Sequence, residues 1–270
     1  MDYQVYSPCL PLGKYIKCYW SLEVSKTEEP PARQRVFADG CIELLFHFGD
    51  LFQKYHRNDE IIIQPRSFVH GQVTRFIEIE PTGSAGIFSV RFTPNGLRPF
   101  LPYRIDELTD QTPTVSELWG KEGDVLEDRI LNARTNALRI ELIESFLLKK
   151  LRNFKARHLF TDHCVDSIFK SNGMISIDDL ANDLSIGRRQ LERKFIEAVG
   201  LSPKHLSRII RFQNVLNLLE KRQFNSLTAL AYEGGFYDQA HFIKDFREFT
   251  GFNPKQYFAE DMELAKYFNS

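Results

Sequence analysis

Basic side chains are concentrated in one short stretch of the sequence, residues 188–211. Seven Lys or Arg residues lie there against two Glu residues, a local net charge of +5, although the whole 270-residue chain carries a net charge of −1. Lys and Arg neutralise phosphates wherever they cluster, so the position of the charge matters more than its total. The stretch therefore predicts a surface that binds nucleic acid.

A related stretch lies 51 positions downstream. Residues 186–203 are IGRRQLERKFIEAVGLSP, and residues 235–254 are GFYDQAHFIKDFREFTGFNP. At this offset the identical pairs include Phe195 with Phe246, Glu197 with Glu248, Gly200 with Gly251 and Pro203 with Pro254. Two copies are too few for a solenoid, which needs about three or more repeats. The pattern indicates a duplicated small module.

Each copy predicts two helices joined by a tight turn. The first helix of each pair is predicted over residues 176–184 or 226–233, and it places an alanine where the second helix must approach closely. Apolar side chains four positions apart anchor the second helix. Gly200 and Gly251 suit left-handed C-terminal caps, and a proline begins each following helix. This is the arrangement of a helix-turn-helix.

The other side chains of each second helix are predicted to face outward. Arg, Gln and Glu can hydrogen-bond to base edges in a major groove, and Lys or Arg can also hold phosphates. The outward positions are Arg188, Arg189, Glu192, Arg193 and Glu197 in the first copy, and Gln239, Ala240, Ile243, Lys244 and Arg247 in the second. Lys204 and Lys255 stand at the start of the next helix, where free backbone N–H groups favour phosphate.

A single helix over residues 203–220 is predicted to join the two modules. Its buried side would be apolar, and Arg208 and Arg211 would lie on its polar side. Such a helix would act as a rigid spacer between the two outward faces. Two faces of this kind fit successive major-groove segments about one helical turn, ~34 Å, apart.

The C-terminal third of the chain resembles the AraC/XylS transcriptional regulators. Residues 235–257 resemble the signature of that family, and residues 189–195 with 200–204 fit its first recognition helix, so the resemblance covers about residues 168–258. It implies base contacts by Arg189, Glu192, Arg193, Gln239, Ala240 and Lys244, and we expect phosphate contacts from Arg188, Lys204, Arg208, His241, Arg247 and Lys255. The methyl group of Ala240 could touch only a thymine methyl, and Glu192 could accept from a cytosine amine or pair with a neighbouring arginine.

The N-terminal part predicts a mostly antiparallel β domain, a sandwich or barrel. Strand-like runs lie at residues 15–24, 41–48, 60–64, 74–79 and 86–92, and turn residues follow most of them. The pair Tyr19-Trp20 and the turn 38–41 resemble the sensor domains found ahead of AraC-type modules, which implies a cupin-like fold. The candidate effector-binding residues of this domain are Trp20, Phe37, Asp39, Glu43 and Arg91.

Catalytic and metal-binding motifs are not found in the sequence. It contains no Gly-rich phosphate loop, serine elbow or thiolate motif, so we expect neither an enzyme nor a cofactor. His47 lies alone in an apolar run and is predicted to be a satisfied core residue, and no metal site is expected. The four cysteines form no C-x-x-C pair, and no apolar run approaches the ~18 residues of a membrane span. A cytoplasmic protein is expected.

Helical periodicity dominates residues 125–154, with a break near residues 132–136. The apolar face of this segment could pack on the β domain or on a second copy of the chain. The expected organisation is an α+β multidomain chain: a β-rich sensor domain (1–110), a helical linker that could dimerise (111–157), and an all-α domain with two helix-turn-helix motifs joined by a long helix (158–270).

These patterns together predict a sequence-specific DNA-binding transcription regulator. Double-stranded DNA is the expected partner, and RNA polymerase, a small-molecule effector and a second copy of the chain are further candidates. The alternative is a small-molecule-binding or enzymatic β domain with a degenerate helical module that serves protein interaction. A steep fall of DNA affinity with salt would distinguish the first function from the second.

Overall fold

A computed structural model describes residues 2–25, 33–55, 60–152, 154, 159–221, 226–254 and 257. The N-terminal part is built of strands: β1 (Asp2–Tyr6), β2 (Ile16–Val24), β3 (Gln34–Val36), β4 (Ile42–His47), β5 (Phe52–Tyr55), β6 (Ile61–Ile63), β7 (Ser67–His70), β8 (Ile77–Pro81) and β9 (Ala85–Phe92). Helices follow: α1 (Val115–Trp119), α2 (Lys121–Leu131), α3 (Asn136–Arg152), α4 (Leu159–Lys170), α5 (Ile177–Asp183), α6 (Arg188–Val199), α7 (Pro203–Glu220), α8 (Leu227–Glu233) and α9 (Gln239–Thr250).

The strands form two antiparallel sheets packed face to face. One sheet has the order β1-β2-β9-β4-β7 and the other has the order β3-β8-β5-β6. Successive side chains of a strand point to opposite faces. In β2, accordingly, Trp20 joins the apolar cluster between the sheets, whereas Tyr19 joins the cluster on the outer face of the larger sheet. The predicted antiparallel β domain is confirmed, and of the two alternatives, sandwich or barrel, it is a sandwich.

Helices α2 and α3 cover the outer face of the larger sheet. Leu126 and Ile130 of α2, and Ile143 and Leu147 of α3, belong to the same buried cluster as Phe88 of β9. Both faces of β9 are therefore covered, which explains why all eight of its residues are buried. The break predicted near residues 132–136 is confirmed between α2 and α3, and the apolar stripe packs on the sheet. We call strands β1–β9 with helices α1–α3 the β domain.

Helices α4–α9 form a second, helical domain around one core. Leu191 and Phe195 of α6, and Phe242 and Phe246 of α9, are fully buried in it. Serine or aspartate side chains cap α5, α7, α8 and α9, as expected where the first N–H groups of a helix lack partners. Gly200 (φ 87°) and Gly251 (φ 77°) close α6 and α9 in the left-handed conformation. In the described part of the chain, no helix is long and apolar enough to cross a bilayer.

The β domain packs directly on the helical domain. The ring of Phe37, which follows β3, meets the edge of Phe212 on α7 with ring centroids 5.9 Å apart, and it belongs to the helical core. A β-carbon at Gly40 (φ 78°) would lie 2.7 Å from Leu206 Cδ1, so α7 approaches this turn as closely as glycine allows. Hydrogen bonds to main-chain carbonyls add to the contact: Thr109 Oγ1 donates to Gly200 (2.7 Å), Arg35 Nη1 to Thr250 (3.0 Å) and Gln213 Nε2 to Ala38 (2.8 Å).

Substituting Gly251 tests this contact. A β-carbon there would lie 2.7 Å from Phe76 Cζ and would force a positive φ on an L-residue, so Gly251→Ala should lower the free energy of unfolding by about 1–3 kcal/mol. Adding Phe76→Ala should restore the part of this free energy that is lost through the clash with the ring, but not the part that is lost through the positive φ. A double-mutant cycle in urea unfolding measures this coupling.

Gly13→Ala is the control, because the new β-carbon would meet only ordinary contacts at 3.6 Å and beyond. It should change the free energy of unfolding by no more than about 0.5 kcal/mol. A Gly251→Ala protein as stable as the wild type would contradict the close approach of the two domains.

Candidate nucleic-acid interface

The exposed face of α6 carries the basic residues predicted from the first copy. Leu191 and Phe195 anchor its inner side, so Arg189 and Arg193, four positions apart, are exposed on the outer side. Neither makes an ion pair with another described residue. Two cations thus project from one helix face with their hydrogen-bond donors available, as contact with base edges or phosphates requires.

Arg188 and Glu192 of the same helix are engaged with each other. Arg188 Nε donates to Glu192 Oε1 (3.2 Å), and Nη1 donates to Asp178 of α5 (3.1 Å). These contacts raise the pKa of Arg188, the hydrogen bond with Glu192 contributing most. Of the two roles expected for Glu192, pairing with a neighbouring arginine is the one that the structure contains. Arg188 would have to release Asp178 or share its donors to bind a phosphate.

The corresponding face of α9 is less polar and equally open. Ala240, Lys244 and Arg247 are exposed, and neither Lys244 nor Arg247 makes an ion pair with another described residue. Gln239 is half-buried and accepts a hydrogen bond from Thr228 Oγ1 (3.1 Å), which orients the side-chain amide. His241 points away from this face: its ring packs edge-on against Phe236, and Nε2 lies 3.6 Å from Asp245 Oδ2.

The predicted phosphate contact at Arg208 has a different role in the structure. Its guanidinium, 18% exposed, donates to Asp245 Oδ1 (2.8 Å) and to Glu248 Oε2 (2.6 Å), and so joins α7 to α9. Hydrogen bonds with Asp245 raise the pKa of Arg208, and the same arginine lowers the pKa of Glu248. Because the polar side of α7 packs against α9, Arg208 would have to share or release these carboxylates to make the phosphate contact expected of it.

Other basic residues of the 188–211 stretch also serve the domain itself. Arg211 is half-buried, and its Nη1 donates to the carbonyl of Gly173 (2.8 Å). Lys194 Nζ lies 5.8 Å from the centre of the Phe160 ring. Lys204 is exposed at the start of α7, and Lys255 lies outside the described residues. The local charge of +5 therefore overstates the charge available to a ligand.

Three of the five candidate effector residues line a cavity of about 60 Å³ between the two sheets. Phe37, Asp39 and Glu43 line it. Trp20 and Arg91 lie behind this lining: Trp20 Nε1 donates to Glu43 Oε1 (3.3 Å), and Arg91, 1% exposed, forms ion pairs with both Asp39 and Glu43. Burial raises the pKa of Glu43 despite Arg91. At Asp39 burial acts in the same direction, but Arg91 and the Cys41 N–H outweigh it, so its pKa is lowered.

Three further polar residues line the cavity that were not predicted as site residues: His47, Gln64 and His70. The ring of His47 lies between Phe52 and Phe68 (centroid distances 5.4 and 5.7 Å), and neither of its nitrogens has hydrogen-bond geometry with a described residue. His47 is 1% exposed, so its expected place in the core is confirmed, and Gln64 is a polar side chain close enough to act on its ring. The alternation of Glu43 and His47 on β4 indicates a shared face, but only the pairing of β4 with β7 brings His70 to it.

Burial keeps both imidazoles neutral. It lowers the pKa of His47 to about 4, with Gln64 opposing the shift, and it lowers the pKa of His70 to about 4, with Lys54 adding to the shift. His70 Nδ1 lies 3.2 Å from the carbonyl of Gly71, and Nε2 has no hydrogen-bond partner among the described residues. The cavity thus offers neutral donor or acceptor nitrogens within an aromatic lining.

Family models match the two domains separately. One, described as a helix-turn-helix domain, matches residues 180–260, and another, described as a domain of unknown function, matches residues 4–114. An uncharacterized HTH-type transcriptional regulator from Haemophilus influenzae is 33% identical over 81 residues. Residues 180–260 are an AraC-type helix-turn-helix domain. The match covers 30% of this chain, and the chain spans about a quarter (27%) of the length of that relative.

Solved structures that align with most of this chain include ToxT from Vibrio cholerae. One ToxT structure aligns over 96% of this chain and 98% of its own, with a TM-score of 0.48 and 13% identity. Another, bound to an unsaturated fatty acid, aligns over 94% of each chain with a TM-score of 0.44 and 16% identity. The AraC-like transcriptional activator CuxR aligns over 81% of this chain and 86% of its own, with a TM-score of 0.32 and 12% identity.

Because burial holds the two cavity histidines neutral, we expect the protein to lose stability in mild acid. Their folded pKa values, about 4, lie below the usual value near 6.5, so the neutral rings contribute fully above pH ~6.5 and lose their contribution as the pH falls toward 4. When the pH falls from 7 to 5, each ring should lower the free energy of unfolding by at most about 2 kcal/mol.

Urea unfolding of the wild type, His47→Gln and His70→Gln at the two pH values measures this loss. Each variant should lose less stability between pH 7 and 5 than the wild type, because carboxylates titrate equally in all three proteins. Identical losses would show that the rings are not held neutral by burial.

Proposed function

We propose that the protein is a sequence-specific DNA-binding transcription regulator that inserts α6 and α9 into two successive major-groove segments. The observation that carries the proposal is the pair of equivalent helix faces, each anchored by two fully buried apolar residues and each presenting exposed cations without ion pairs among the described residues. The AraC-type domain that contains both helices supports it. We call α6 and α9 the recognition helices.

The contacts of the unbound protein suggest a division of labour between these side chains. Arg189 and Arg193 are suited to guanine edges or phosphates, Gln239 to adenine, and Ala240 to a thymine methyl. Lys244 is a further base contact, and Lys204 and Arg247 are phosphate contacts, with Lys255 a candidate outside the described residues. Glu192 is better assigned to holding Arg188 than to reading a base. His241 is better assigned to the support of α9.

Helix α7 would set the distance between the recognition helices. Its 18 residues span about 27 Å, and its apolar side chains are buried in the helical core. A rigid spacer of this length is compatible with two major-groove segments about one helical turn apart on one side of the duplex.

The domain organisation that we propose keeps residues 158–270 as the DNA-binding unit and 1–110 as the sensor. The segment 111–157 contributes α1–α3, and these helices complete the core of the β domain. A homodimer would use what remains exposed on them, such as Val125 and Leu138. Contact with RNA polymerase and a cytoplasmic location would follow from the function itself.

The cavity between the sheets is the proposed effector site. Its polar groups include two neutral imidazoles and an amide, while the Asp39 and Glu43 carboxylates are occupied by Arg91. A small uncharged molecule that carries hydroxyl or amide groups would suit this lining, because an unpaired charge would be costly to bury. The segments that line the cavity also contact α7 and α9, so occupancy could bias how the recognition helices are presented.

DNA selection tests the main function. The purified protein should enrich, from pooled random duplexes at physiological salt, a motif with two boxes about one helical turn apart. Arg193→Ala should weaken the base preference in one box, and Lys244→Ala should weaken it in the other. Each substitution should lower the free-energy discrimination at the contacted base pairs by about 1–3 kcal/mol.

The matched control is Arg134→Ala, which removes an exposed arginine from the connection between α2 and α3. It should enrich the wild-type motif. The alternative, a helical module for protein interaction, predicts no enriched motif and no steep dependence of binding on salt.

Thermal shifts with a panel of small uncharged hydroxy and amide compounds test the effector site. A ligand at about 100 times its Kd should stabilise the wild type by about 2.7 kcal/mol. Val36→Phe should abolish this shift, because Val36 lines the cavity. Val5→Phe places the same ring on exposed β1 and should keep the shift. A shift that survives Val36→Phe would place the ligand elsewhere.

A further inference from the structure

The loop between β7 and β8 brings the β domain beside the second recognition helix. Its residues Arg75 and Phe76 form one wall of an open cleft, and the outer face of α9, with Ala240, Lys244, Arg247 and Glu248, forms the other. We call this the α9 cleft. The surface that we propose for DNA binding is therefore continuous with a piece of the β domain.

The α9 cleft carries positive charge without compensating partners. Arg75, Lys244 and Arg247 are exposed, and no ion pair joins any of them to another residue of the described chain. The one acidic side chain of its lining, Glu248, is committed to Arg208. Three cations that share a cleft repel one another, so the arrangement favours an anionic ligand.

Two arginines near the cleft, Arg35 and Arg208, are paired with carboxylates of the protein itself. Arg35, which also contacts this loop, pairs with Glu78 (2.8 Å) and stacks over the Phe76 ring, 4.7 Å from its centre. Arg208 pairs with two carboxylates. Arg75 has no such partner among the described residues, although it lies close enough to Glu248 to lower its pKa.

The loop that holds Arg75 is fixed on both sides. Thr74 donates two hydrogen bonds to Asp110, from its backbone N (2.9 Å) and from Oγ1 (2.7 Å). Phe76 abuts Gly251 at the end of α9. A cation on a fixed backbone loses less conformational entropy on binding than one on a mobile loop.

We propose that the DNA-binding surface extends onto the β domain, with Arg75 contacting the phosphodiester backbone beside the major-groove segment that α9 enters. This inference rests on the proposed function. A recognition helix in a major groove about 12 Å wide is flanked by the two phosphate backbones, so a basic wall beside the helix meets phosphate rather than bases. Arg75 would add affinity without sequence preference.

The test compares the wild type, Arg75→Ala and Arg75→Lys on the duplex recovered by selection, over a range of salt concentrations. Arg75→Ala should weaken binding about three- to tenfold at ~0.1 M salt, and the slope of log K against log [salt] should become shallower by about 0.9. Arg75→Lys should keep most of the slope, and the enriched motif should not change in either variant. Arg134→Ala is the control for loss of an exposed arginine.

A trimmed duplex locates the contact. When the flank next to the α9 box is removed, Arg75→Ala and the wild type should bind equally, whereas trimming the other flank should preserve their difference. Equal affinity and slope on the full duplex would overturn the proposal, and tighter binding by Arg75→Ala would show instead that the loop obstructs DNA. If the wild type selects no DNA, the proposed function fails as well; if it selects DNA and Arg75→Ala is indistinguishable from it, only the extension fails.

Discussion

The β domain holds both proposed recognition helices at their C-terminal ends, and the geometry of the proposed DNA-binding surface depends on this. The last carbonyls of a helix have no partner within the helix and carry the negative end of its dipole. Thr109 Oγ1 donates to the carbonyl of Gly200 at the end of α6, and Arg35 donates to the carbonyl of Thr250 at the end of α9. Because equivalent ends of the two modules are hydrogen-bonded to the same β domain, that domain contributes with α7 to setting the angle between them.

The cavity and these contacts share the same short segments of chain. Phe37 and Asp39 line the cavity, and the carbonyl of Ala38 between them accepts a hydrogen bond from Gln213 of α7. On the other side, Val73 lines the cavity three residues before Phe76, which abuts the end of α9. Packed interiors do not compress, so a ligand that displaced either segment would have to move the helix ends or break the contacts. Effector control would need no long pathway through the protein.

Local signals predicted the helical domain well, and long-range pairing limited the prediction elsewhere. The duplicated spacing, the glycine caps and the anchoring side chains are properties of neighbouring residues, and all are present as expected in α6 and α9. Strands β1, β3, β5 and β7 were missed because they are short, and β3, β5 and β7 pair with strands more than 20 positions away. The same limit applies to His70 and Arg208, whose roles depend on distant partners. Strand pairing brings His70 to the cavity, and the carboxylate partners of Arg208 lie 37 and 40 positions away along the chain.

The charge distribution also bears on how such a protein could select DNA. A chain with a net charge of −1 gains little from long-range attraction to a polyanion, and Arg188, Arg208 and Arg211 are engaged in contacts within the helical domain. Few phosphate contacts mean a low non-specific affinity and a larger share for base contacts in the total binding free energy. Base contacts are effective only when the side chains are already placed, since ordering them on binding costs free energy. The attachment of both recognition helices to the β domain supplies that placement. Weak overall charge and firm domain packing therefore favour the same outcome: the protein would discriminate between DNA sequences rather than bind all DNA tightly.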